Sequence, residues 1–106
     1  MRAQQEQGEK SQMEPTDRVI ANPVAVLREE FDDWAILYNP DSAEAVGLNP
    51  TAVVVWRLID GRRTVAEIIA ATIEGFSQVP AAADEELREL LAGFLERGFV
   101  AVADAG

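Results

Sequence analysis

The residues best suited by type to acid–base chemistry are two pairs of neighbouring carboxylates, Glu29 with Glu30 and Asp32 with Asp33, in the run LREEFDDW. A hydrolytic pair needs two carboxylates converging across a cleft, about 5 to 10 Å apart. Neighbours on a strand point to opposite faces instead, so these pairs are poor candidates for shared proton transfer. The chain contains no histidine and no cysteine. That removes the common zinc sites and the Ser-His and Cys-His nucleophile arrangements, and no catalytic residue, metal site or cofactor is predicted. Arg62 and Arg63 could hold an acidic ligand or could simply solvate a turn.

Charge narrows the partners further. Nineteen acids against nine bases give a net charge of −10. Such a surface repels phosphate backbones and anionic lipid, because nucleic-acid affinity rests on Lys and Arg displacing counterions. Neither a nucleic acid nor a membrane is expected as partner. No apolar run approaches the roughly 20 residues that cross a bilayer. The polar N-terminus MRAQQEQGEKSQMEP has no apolar segment behind Arg2, so no signal peptide is predicted and a cytoplasmic location is expected.

The elements that would position any site are well punctuated. With 106 residues the chain suits one domain. Residues 1–17, rich in Gln and Glu, bury too little apolar surface to offset their ordering entropy and read as a disordered tail. Residues 18–106 form the domain. VAVL at 24–27 and WAILY at 34–38 read as an antiparallel hairpin turning near Asp32 and Asp33, with Trp34, Ile36 and Tyr38 on one face and Ala35 and Leu37 on the other. The second face of this sheet needs a cover, either the N-terminal segment or a second chain. After the turn NPDSAE, residues 45–48, AVGL, make a third strand whose far side is a sheet edge.

Three helices follow. Asn49 and Pro50 start the first; Gly61 stops it; Thr64 and Glu67 are spaced as a capping box for the second. Ala52, Val55, Trp56 and Ile59 share one helical face, and Val65, Ile68, Ile69 and Thr72 another, continuing toward Phe76. The third helix opens on Asp84, Glu85 and Glu86 and ends at Arg97 and Gly98. Its band of Leu87, Leu90, Leu91, Phe94 and Leu95 is wider than one packing seam needs, so part of it is available either to the sheet or to a partner. FVAVA at 99–103 is a last strand or a docking segment. The predicted class is α+β, a three-stranded antiparallel sheet followed by three helices in a winged-helix-like order. In a winged helix the third helix would enter the major groove, but here DEELRELLAGFLE carries five acids and one Arg, the wrong chemistry for phosphate.

The runs LREEFDDWAILYNPDSAEAVGLNPTAVVVWRLIDGRRTVAEII and LRELLAGFLERGFV resemble the PqqD-like family, small peptide-binding proteins named for pyrroloquinoline quinone synthesis protein D and also known as RiPP recognition elements. The segment LNPTA…W…DGRRTVAEI carries the resemblance most specifically. It implies a non-catalytic chaperone or adaptor that binds the leader segment of a ribosomally made precursor peptide. The adaptor then presents that leader to a modifying enzyme, often a radical S-adenosylmethionine enzyme. The leader would lie as an added strand on Ala45, Val46, Gly47 and Leu48, walled by Leu87, Leu90, Leu91 and Phe94, with Arg88 able to pair with an acidic leader residue. The N–H of Val46 is one donor that such a strand would use if it faces outward. A structural or regulatory interaction module without a precursor peptide, acting as monomer or homodimer, is the alternative.

Overall fold

The computed structural model describes residues 13–103. The strands are β1 (Val19–Ala21), β2 (Val26–Glu29), β3 (Ala35–Asn39), β4 (Glu44–Leu48) and β5 (Val100–Val102); the helices are α1 (Pro50–Leu58), α2 (Val65–Glu74) and α3 (Ala83–Glu96). Strands β2, β3 and β4 form an antiparallel meander in that order, and β1 pairs with β5 in a separate two-stranded sheet. The α+β class and the three-strand, three-helix order follow the sequence reading. The pairing of Val19–Ala21 with the C-terminal strand was not anticipated, because three residues are too few to show a period.

Turn chemistry sets the meander. Asp32 and Asp33 both take left-handed φ angles, 57° and 63°, and Trp34 N donates to Phe31 O at 3.1 Å. Two consecutive left-handed residues make a tight turn whose twist matches that of the strands, and aspartate tolerates the conformation. With Glu29 opposite Ala35, the β2 side carries one extra residue, Glu30 and Phe31 both facing Trp34. Strand β2 begins at Val26 rather than Val24, because Asn22 accepts from Val24 N and Ala25 N and holds a turn there. The second loop closes on Ala43 at φ 62°.

The inner sheet face presents Ala35, Leu37 and Leu48 to the helices, all buried, as the alternation predicts. Val53, Val55, Ile59, Val65, Ile68, Ile69, Leu91 and Phe99 are among the residues that join them in the core. Trp56 packs its edge on Phe94, with ring centroids 5.7 Å apart and planes at 83°, and Phe94 in turn meets Phe99 at 6.4 Å.

Both helix starts are capped as predicted. Asn49 Oδ1 accepts from Ala52 N at 2.8 Å; Thr64 Oγ1 accepts from Glu67 N while Glu67 Oε1 accepts from Thr64 N. The corner between α1 and α2 closes on Asp60, whose Oδ1 accepts from Arg62 N and Arg63 N, both at 2.9 Å. Those two bonds, with the Arg63 guanidinium adding a smaller share, hold the Asp60 carboxyl below its ordinary pKa. Arg63 Nη1 also donates to Leu58 O at 3.0 Å, so this arginine locks the end of α1.

Two expectations need correction. The sequence reads as a tail to residue 17, yet within the described residues Pro15 O accepts from Ala66 N at 3.0 Å and Asp17 O from Val65 N at 2.9 Å. These carbonyls satisfy two of the amides that every helix N-terminus leaves open, which is why the segment docks despite its polar composition. The remainder of the predicted tail, 1–12, lies outside the described residues. The described part of the N-terminal segment, from residue 13, meets the start of α2 and does not cover the outer sheet face, where Val26 and Tyr38 stand exposed.

Candidate functional site: a groove between a free strand edge and the third helix

Strand β4 pairs only with β3 among the described residues, so its other side is open. The phase of its hydrogen bonds follows from the hairpin. Glu30 N donates to Trp34 O at 2.8 Å, so the main-chain groups of Trp34 turn toward β2. By alternation those of Ile36 and Tyr38 do the same, leaving Ala35, Leu37 and Asn39 to bond Leu48, Val46 and Glu44 across the β4 register. Ala45 and Gly47 therefore aim their N–H and C=O groups at the open edge. Val46, expected from sequence as a possible outward donor, instead spends its N–H on Leu37.

Facing this edge is α3, and between them runs a groove of about 500 Å³. Of the residues expected there, Val46, Gly47, Leu48, Leu87, Leu90 and Phe94 line it. Leu87 and Phe94 contribute only floor, being 4% and 3% exposed, while Leu90 is half-buried and offers its side chain. Three expected residues fall elsewhere. Leu91 is fully buried in the core, one helical step round from the groove. The exposed Ala45 adds its backbone to the edge but does not line the groove. Arg88 lies outside the lining and pairs with Asp84 one turn earlier on the same helix.

The lining also includes residues that the sequence reading left out of the site. Glu86, Gly93 and Arg97 share one helix face with the expected Leu90 at three- and four-residue steps, a signal available once Leu90 is taken as reference. Phe76 and Pro80 come from the α2–α3 connection, which has no period to place them. The charges are ordered along the groove. Glu86 and Glu89 lie toward the N-terminal half of α3 and Arg97 at its C-terminal end, and none of the three has an ion-pair partner among the described residues.

Of the hairpin carboxylates, Glu29 pairs with Arg57 and Glu30 with Arg28, while Asp32 and Asp33 form the turn. No grouping of three or more acidic residues among those described could hold a metal ion. No described helix is long and apolar enough to cross a membrane.

A free strand edge flanked by an apolar helix wall marks a class of small α+β domains with room beside the sheet for an added strand. Within that class the chain belongs to the family described as Coenzyme PQQ synthesis protein D (PqqD), whose model matches residues 35–100 and so spans β3, β4 and all three helices. A relative called PqqA binding protein, from Pseudomonas paraeruginosa (strain DSM 24068 / PA7), is 39% identical over 75 residues, covering 64% of this chain and 78% of the relative. Two solved structures share the fold. TbiB1 in complex with the TbiA(beta) leader peptide superposes with a TM-score of 0.63 at 18% identity, over 76% of this chain and 93% of that one. Lasso peptide synthetase B1 complexed with the leader peptide gives 0.61 at 22% identity, over 79% and 98%.

Proposed function

We propose that this protein is a non-catalytic peptide adaptor. It takes the leader segment of a ribosomally made precursor peptide as a fourth strand on β4 and presents that peptide to a modifying enzyme, of which a radical S-adenosylmethionine enzyme is the expected kind. The observation that carries the reading is the outward aim of the Ala45 and Gly47 main-chain groups directly beside the apolar groove of α3. Main-chain bonds along the edge supply affinity, and the groove selects the side chains that alternate into it. Family membership, together with the names borne by the relative and the two structural neighbours, supports the same assignment. Titration of isotope-labelled protein with a synthetic leader from a precursor encoded beside its gene tests it. Amide shifts are expected at 45–48 and along α3, whereas shifts confined to the Arg62 turn would defeat the groove.

A second reading rests on the outer sheet face, where Val26, Trp34 and Tyr38 are 52%, 50% and 41% exposed. An apolar face of this kind suits a symmetric dimer. Light scattering with and without the leader separates the two: a tight dimer that excludes the leader favours an interaction module that handles no precursor.

A further inference from the structure

Gly93 sits inside α3, in its closing turns, where glycine is a poor choice: it forgoes helix propensity and adds no packing. Two other glycines have a visible backbone reason, while Gly47, equally open, lies on the edge strand rather than within a helix. Gly61 and Gly98 take φ angles of 82° and 81°, the left-handed conformation that ends a helix or tightens a corner. Gly93 has no positive φ, and a Cβ built on it would meet no heavy atom within 4 Å. Nothing among the described residues requires its lack of a side chain. Yet Gly93 lies in the groove wall, with Glu89 and Leu90 one turn before it and Arg97 one turn after.

A strand added to β4 runs about 4.8 Å from it and sends alternate side chains to the face that bears Val46 and Leu48, into the space before α3. Facing layers interdigitate when a large residue on one meets a small residue on the other. We propose that Gly93 is the specificity-determining residue of the groove, a notch in the helix wall that seats one large apolar side chain of the bound peptide. Leu90, Phe94 and Val46 give the groove its apolar lining, while Glu89 and Arg97 stand one turn to either side of Gly93 and bound the notch with charge. The inference rests on the peptide-binding reading and adds to it the class of residue that the peptide must carry.

The test uses the full chain, a synthetic leader and a set of its variants with each residue replaced in turn by glycine. Affinity is read by fluorescence anisotropy and stability by thermal melts. Gly93→Leu fills the notch and should weaken the parent leader by about tenfold or more, the scale of a mismatched apolar pocket. It should also lose sensitivity to one leader position: the glycine variant that wild type binds worst should bind Gly93→Leu as well as the parent does. Gly93→Ala, whose Cβ has open space, should melt no lower than wild type and still bind the leader more weakly, opposite signs that a purely structural glycine does not give. If Gly93→Leu unfolds, the Gly93→Ala comparison decides alone. Parent affinity unchanged in Gly93→Ala and in a folded Gly93→Leu overturns the notch and leaves the adaptor reading standing. A wild-type protein that binds no leader overturns both.

Discussion

Replacing Gly47 by proline removes one of the two N–H donors that β4 turns outward, and it does so without touching the β3–β4 ladder, whose bonds come from Glu44, Val46 and Leu48. A net hydrogen bond is worth about 0.5–1.5 kcal/mol, and a leader carbonyl left facing no donor in a closed groove raises the loss to roughly 1–3 kcal/mol. At about 1.4 kcal/mol per tenfold, leader affinity should fall by about five- to 150-fold. Gly47→Ala is the control, because it keeps the N–H and its Cβ would meet nothing within 4 Å. Val46→Pro is the contrast, since its N–H holds Leu37 and its loss should lower the melting temperature before binding is considered. Isothermal titration measures affinity and circular dichroism the melts. If folded Gly47→Pro binds leader as tightly as Gly47→Ala, no strand is added at that position. If Val46→Pro melts like wild type, the hydrogen-bond phase assigned to β4 is wrong.

The two adjacent leucines of α3 should separate by readout. Leu91→Ala, in the core, should cost about 2–5 kcal/mol in urea unfolding, whereas the half-buried Leu90→Ala should weaken leader binding with a smaller stability loss. Truncation to Arg18 should lower stability relative to truncation to Met13, by about 0.5–1.5 kcal/mol for each carbonyl withdrawn from Val65 and Ala66. The depressed pKa of Asp60 makes its contribution complete above the ordinary carboxylate value of 3.8 and progressively lost as pH falls below it through the folded value. Asp60→Asn should therefore flatten the acid limb of a stability–pH curve, read as melting temperature from pH 7 to pH 2.

Local signals placed most of the fold. Asn49–Pro50, Thr64 with Glu67, and Gly98 are each a cap that acts within a few residues, so sequence suffices to find them. The open edge at 45–48 was legible for the same reason: a short apolar run between two turns. What escaped depended on contacts distant in sequence. The pairing of Val19–Ala21 with Val100–Val102 joins segments from opposite ends of the domain, and the docking of Pro15 and Asp17 onto α2 depends on where that helix lies in space. Within α3 the apolar band was visible, but its division between core and groove was not: Leu91 turned inward, Arg88 away, and Gly93 and Arg97 into the site. The phase of β4 likewise required one bond in a neighbouring hairpin, Glu30 to Trp34, to show that Val46 faces inward along the ladder while Ala45 and Gly47 face out.

The β1–β5 pairing sets Val19 directly opposite Val102, and Ala103 N donates to Arg18 O at 2.8 Å. Antiparallel partners lie about 5 Å apart, so the chain at Val19 and the chain at Val102 pass through nearly the same point. Such a domain can be spliced into a surface loop of a larger protein with almost no displacement of the loop's ends. It can also be circularly permuted, its old ends joined by a short linker and new ones cut in the loop between α2 and α3. The same fold is thereby equally suited to stand as a free chain or as a cassette within a larger protein.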